Sequence, residues 1–185
     1  MMAPQEPDAS GPVPSASVPS ADDERAAEAL RTLIADTTRD LAARGARTEA
    51  LARYRPSRRI VVVKTAESLE PVGRAWRLGV LLLETDGRVH ETGRITRALE
   101  PTRSQNLSAS VEKRKAERRA AARGRFAEGE VVDYAYLPID LSTEALVAGD
   151  QRLLVADGRA LVRWGTTAAE VREAAAYLAD RGDLL

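Results

Sequence analysis

Three places in this chain hold residue types that could do chemistry. Ser110-Val111-Glu112-Lys113 is an S-x-x-K. On a helix its two polar side chains stand one turn apart, where a lysine amine could take the serine proton. That chemistry needs a desolvated amine, and Lys113 lies in a run of cations on a face expected to be exposed. His90 is the single imidazole, and Glu91 beside it on a strand points to the opposite face, so the two cannot share a metal. No G-x-S-x-G elbow accompanies it, and a hydrogen-bonded strand histidine is the expectation. The third place is a run of cations, Lys113, Arg114, Lys115, Arg118, Arg119, Arg123 and Arg125, opposed by Glu112 and Glu117 for a charge of +5 over residues 107–125. Such density could neutralise several phosphates in a salt-sensitive, sequence-independent manner. Phe126 alone stands near it, so base stacking has little to work with.

Absent residue types narrow the chemistry further. The 185 residues include no cysteine and one histidine, which excludes disulfides, thiol nucleophiles, Cys-ligated zinc and the usual multi-His metal sites. No G-x-x-x-x-G-K-[ST], G-x-G-x-x-G or EF-hand loop occurs, and no cofactor is expected. The 28 basic and 28 acidic residues cancel, yet residues 94–125 carry +7 and residues 126–185 carry −6. The basic run therefore has two fates: contact with an anionic partner, or pairing with the acidic C-terminal third. Arginine outnumbers lysine by 25 to 3, which GC-rich codon usage produces without selection for anions. The longest apolar runs, Ile60–Val63 and Leu78–Leu83, are too short for a bilayer, and no secretory pattern opens the chain. A cytoplasmic protein without membrane contact is the expectation.

The elements that must position these residues are legible in part. Residues 1–20 hold five prolines and four serines with almost nothing to bury, and read as a disordered tail. Ser20 caps a helix with Asp22, Asp23 and Glu24 in its first turn, Leu30, Leu33, Ile34, Thr37 and Leu41 on one face, and Gly45 as its stop. A short helical piece is expected over Thr48–Arg53, then a buried strand at Ile60–Val63. Arg74–Glu84 and Arg88–Leu99 flank Asp86-Gly87, a hairpin signal. With that pair as a two-residue loop, Glu84 faces Val89, Leu83 faces His90, and Leu78, Val80, Leu82, Val89 and Ile95 share one side, with Trp76 and Arg97 at its far end. Asp157-Gly158 joins Arg152–Ala156 to Arg159–Trp164 in the same way, with Leu153, Val155, Val162 and Trp164 on a common face. Between the hairpins Glu130–Leu137 reads as a strand, and residues 104–125 as a surface helix stopped by Gly124. Thr167-Ala168-Ala169-Glu170 predicts a capping box for a last helix with Val171, Ala175 and Leu178 on its buried side.

The runs Arg74–Leu83, Thr92-Gly93-Arg94, Arg123–Glu130 and Leu137-Pro138-Ile139-Asp140 resemble a small family from high-GC Gram-positive bacteria, over about residues 55–181. Some of its members carry the label "glutaminase". That label implies an amide hydrolase, with Ser110 as nucleophile and Lys113 as base. Serine-dependent glutaminases are longer proteins with a β-lactamase-like fold, and they use S-x-x-K. The accompanying K-[ST]-G is missing here, since neither Lys64, Lys113 nor Lys115 is followed by it.

The expected architecture is α+β, with residues 21–185 as a single domain. An antiparallel sheet of five or six strands is built on the two Asp-Gly hairpins and packed by the N- and C-terminal helices, with the Arg-rich helix inserted on the surface. The leading functional expectation is a non-catalytic interaction domain whose basic helix contacts a nucleic acid or an acidic protein surface. The amide hydrolase is the rival, and self-association through the same helix is a third reading.

Overall fold

A computed structural model of the chain describes residues 18–60, 63–100 and 108–185. Most of the expected tail therefore lies outside the described residues. The fold is α+β, with a seven-stranded sheet, a three-stranded sheet, a two-stranded pairing and four helices among the described residues.

Ser20 opens α1 (Ala21–Ala43): its hydroxyl accepts from the Asp23 amide while the Asp23 carboxylate accepts from the Ser20 amide, a reciprocal capping box. Ala26, Ala27, Leu30, Ile34 and Leu41 recur at helical spacing and are buried. The expected helical piece after it is instead β1 (Glu49–Arg55). Its Ala50, Leu51 and Ala52 are buried in succession, so the strand is covered on both faces and tertiary pairing overrides helix propensity. Ile60 and Val63 do not continue one strand. They are partners between β2 (Arg58–Ile60) and β3 (Val63–Thr65), while Val61 and Val62 lie outside the described residues.

The long β4 (Ser68–Leu78) pairs antiparallel with β1, with a bulge after Leu51 that places Gly73 opposite Leu51 and Pro71 opposite Ala52. A proline is tolerated at such an irregularity because one ladder position is already lost. The expected strand Arg74–Glu84 is broken at Gly79-Val80, a two-residue turn that folds β5 (Leu81–Glu84) back onto β4 with Leu78 opposite Leu81. Gly79 has φ +65°, and a Cβ there would stand 2.2 Å from the Tyr177 hydroxyl, so glycine answers both a backbone and a packing demand.

The next hairpin also departs from expectation. The Gly87 amide bonds to the Glu84 carbonyl and the Glu84 amide to the Arg88 carbonyl, so Thr85-Asp86-Gly87 form a three-residue loop with Gly87 at φ +90°. The register of β6 (Val89–Glu91) thereby moves by one: Leu83 faces Val89 and Leu82 faces His90. Trp76, Leu78, Leu81, Leu83 and Val89 join one core, whereas Leu82 belongs to a cluster on the opposite side with Leu51 and Ala75. Val80 sits in the turn, and Ile95 is 51% exposed in the edge strand β7 (Arg94–Arg97) rather than in the core.

The expected strand 130–137 is split by Ala135, at φ 54°, into β8 (Val131–Tyr134) and β9 (Leu137–Pro138). β8 lies between β1 and β7, parallel to the first and antiparallel to the second. The sheet order is β7-β8-β1-β4-β5-β6-β9, so a mixed seven-stranded sheet replaces the expected antiparallel one. The parallel pair is β1 with β8, and the long stretch of chain between them supplies the crossover that such a pair requires.

The second hairpin pairs β10 (Leu153–Ala156) with β11 (Arg159–Arg163) through Asp157 at φ 50° and Gly158 at φ 65°, with Leu153 opposite Val162. It lies in a separate sheet completed by β12 (Val171–Glu173). Leu153, Val155 and Val162 enter the core; Trp164, past the strand end, is half exposed. Thr167–Glu170 does not open the last helix. The Glu170 carboxylate accepts from the Thr166 and Thr167 amides in a loop before β12, and α4 (Ala174–Gly182) begins later, burying Tyr177 and Leu178 while Ala175 stays exposed. The main core lies between one sheet face, α1, α4 and the short α3 (Thr143–Ala148).

Gly79→Ala is expected to destabilise the fold by about 2–4 kcal/mol, combining left-handed strain with displacement of the buried Tyr177. Gly87→Ala, which meets open space, should cost only the backbone strain, about 1–2 kcal/mol, in urea unfolding. The amide and hydroxyl donors of Thr167 hold Glu170 below its ordinary value. Its ionised form thus adds stability above the ordinary carboxylate range, and this is lost as the pH falls through the lowered value. The melting-temperature gap between wild type and Glu170→Gln should be widest near neutrality and close in acid.

Candidate anion-binding surface

The basic run forms α2 (Ala109–Ala122), preceded by Ser108 at the N-cap and ended by Arg123 and Gly124. Its alanines favour the helix and set its distance from the sheet. Ala120 and Ala121 are buried against Ala50, Ala52, Leu69 and Val132, a small-on-small contact that draws the C-terminal half of the helix close. Ala50 lies opposite Arg74, two residues before Trp76 on the same strand face. α2 and the main core therefore share one side of the twisted sheet.

Beneath the middle of α2, from Lys113 to Ala120, the sheet and helix separate around a cavity of about 280 Å³. Lys113, Ala116, Glu117 and Ala120, which follow helical spacing, form its roof, and Tyr54, Leu69 and Tyr134 its floor. Arg94 pairs with Glu117 at the wall and stands over the Tyr134 ring, 5.6 Å from its centroid. The Tyr54 hydroxyl donates to Glu67 at 2.7 Å, which raises the Tyr54 phenol above its ordinary value. Burial raises the Tyr134 phenol likewise, and its hydroxyl has no hydrogen-bond partner among the described residues.

The seven expected cations point in different directions. Arg114 and Arg118, one turn apart, line a groove of about 330 Å³ with Arg97 on the outer side of α2, along the β7 edge. Lys113 is exposed and lines the cavity at its mouth. Lys115 is largely covered and 3.9 Å from Glu112. Arg119 is exposed in the last turn. The Arg123 guanidinium donates to the Glu67 carbonyl at 2.9 Å, and Arg125 lies with it and Arg55 in a third groove that also contains Glu70. None of Lys113, Arg114, Arg118, Arg119 or Arg125 makes an ion pair with a described residue. The alternative of wholesale pairing with the acidic C-terminal third is not what the described residues show.

Ser110 and Lys113 are not brought together. The Ser110 hydroxyl lies 3.0 Å from that of Ser108 at the exposed start of α2, and no hydrogen bond joins it to Lys113. His90 is buried, with Nε2 2.7 Å from Glu84 Oε1 and the Tyr136 ring edge-on at 4.8 Å. Glu91 faces the other way, accepting from the Arg152 amide. The sequence reading missed Tyr54, Glu67, Arg94 and Tyr134, which meet across four segments far apart in the chain. The one local signal was the 113/116/117/120 spacing, which marks an inner helix stripe.

No protein-family model matches the chain, and no curated protein or solved structure shows significant similarity to it. Among the described residues no helix is long and apolar enough to cross a membrane.

The Glu84–His90 contact is buried, so removing the carboxylate leaves an imidazole without a partner. Glu84→Ala should cost about 2 kcal/mol in chemical unfolding, and Glu84→Gln, which can still bond Nε2, clearly less.

Proposed function

We propose that this chain is a non-catalytic binding domain that takes a polyanion, a nucleic-acid backbone in the first instance, in the groove between α2 and the β7 edge. The observation that carries this reading is the convergence of Arg97, Arg114 and Arg118 on one groove without an acidic partner among the described residues. The two carboxylates in that groove are already engaged, Glu49 by Arg77 and Glu117 by Arg94. Their charge is thus offset and the three guanidinium groups set the local potential. Guanidinium forks suit phosphate oxygens and reach them without base contacts, so sequence-independent binding follows.

The test is fluorescence anisotropy with a short labelled double-stranded DNA at several salt concentrations. Log affinity should fall linearly with log salt, and Arg114→Glu with Arg118→Glu should reduce the slope by about 2, near 0.9 per lost phosphate contact. Affinity independent of salt, or a double variant that binds like wild type, would overturn the reading.

A further inference from the structure

We infer that the cavity beneath α2 is a binding site for a small monoanion with a flat apolar body, of the aromatic carboxylate class. This does not rest on the polyanion reading, since Arg97, Arg114 and Arg118 line a different groove. The volume of about 280 Å³ is large enough for a bicyclic ring, given that a dry cavity of about 150 Å³ accommodates benzene. The walls are mainly the rings of Tyr54 and Tyr134 and the methyls of Ala116, Ala120 and Ala135, surfaces that take a flat apolar body.

Two donors in the lining are unspent. Lys113 has no ion pair or hydrogen bond with a described residue. Tyr134 is 4% exposed, and its hydroxyl is buried with no partner among the described residues. Tyr134 lines the cavity together with Arg94, Tyr54 and Glu67. Burial keeps its phenol protonated at neutral pH, so it is a donor there. A buried hydroxyl without a partner is uncommon in folded proteins, and a ligand acceptor would satisfy it.

The acceptors in the lining are already used. Glu67 receives the Tyr54 hydroxyl and Glu117 the Arg94 guanidinium. One ammonium and one phenol O–H are left over, matching the two oxygens of a single carboxylate. An extended polyanion does not fit so small a recess.

The probe is 2-naphthoate, compared with its neutral isostere 2-naphthamide. Both would be titrated into the full chain carrying ¹³C-labelled alanine methyls. Naphthoate should shift Ala116, Ala120 and Ala135 and leave Ala27 and Ala174, which belong to the main core, unmoved. Lys113→Met should weaken naphthoate about ten-fold or more while naphthamide changes little, and Tyr134→Phe should weaken both. Ala116→Phe should abolish binding by filling the recess, its unchanged Ala27 and Ala174 signals showing that it folds. Arg114→Glu with Arg118→Glu should leave naphthoate binding within about two-fold, because no direct contact is lost. Absence of shifts at the three cavity methyls overturns the proposal. So does naphthoate binding that survives both Lys113→Met and Ala116→Phe.

Discussion

A single guanidinium holds the mixed sheet in register. Arg77 on β4 pairs with Asp133 on β8 and, through Nε at 2.9 Å, with Glu49 on β1. Asp133 is fully buried, so its charge is tolerable only beside that partner. Breaking such a pair strands a buried charge, which typically costs about 3–5 kcal/mol. The contact also fixes which way β8 faces. A slip by one residue would turn Asp133 toward the alanine-lined cluster under α2 and bring Val132 or Tyr134 out beside Arg77. Val132 and Tyr134 reach the cluster under α2 only while β8 keeps this face.

With β8 fixed, the distance between α2 and the sheet follows from side-chain size. Ala120 and Ala121 join Ala50, Ala52 and Ala98 in one cluster of small residues, which draws the end of the helix close. Tyr54 and Tyr134 stand under its middle, where Lys113, Ala116, Glu117 and Ala120 line the recess above them. Small residues at the end of the helix and two tyrosines under its middle leave a recess between helix and sheet. The helix has little apolar surface of its own, so its position comes from this contact and from the Arg94–Glu117 pair rather than from a broad hydrophobic stripe.

Local chemistry was readable where it alone decides the outcome. Ser20 and Asp23 cap α1 through contacts within one turn, and Asp157-Gly158 takes the left-handed conformations that a two-residue hairpin needs. The same dipeptide at Asp86-Gly87 misled by one register, because Thr85 joined the loop. That slip moves His90 from the side of Leu83 to the side of Leu82, where Glu84 also points. Thr48–Arg53 misled for another reason: its alanines and leucine fit a helix or a strand equally well, and the choice was made by β4 and β8 on either side. At the site the sequence named the cations but could not say which way each would point. Helix rotation is set by Ala120 and Ala121, whose cluster partners come from β1, β4, β8 and Ala98.

That rotation divides the charge into separate roles. A uniformly basic helix would present the same potential on every side, yet α2 places Lys113 at the recess, Arg114 and Arg118 at the groove, and spends Glu117 on Arg94. Glu117 lines both the inner recess and the outer groove, so the Arg94–Glu117 bridge is the partition between them. Were that carboxylate unpaired, its charge would oppose an anion on either side at once. Paired, it offsets Arg94 and leaves Lys113 as the ammonium facing the recess, with Arg97, Arg114 and Arg118 facing the groove. Two anion-directed surfaces of different size and polarity can then share one helix, because opposite charges between them are settled within the partition itself.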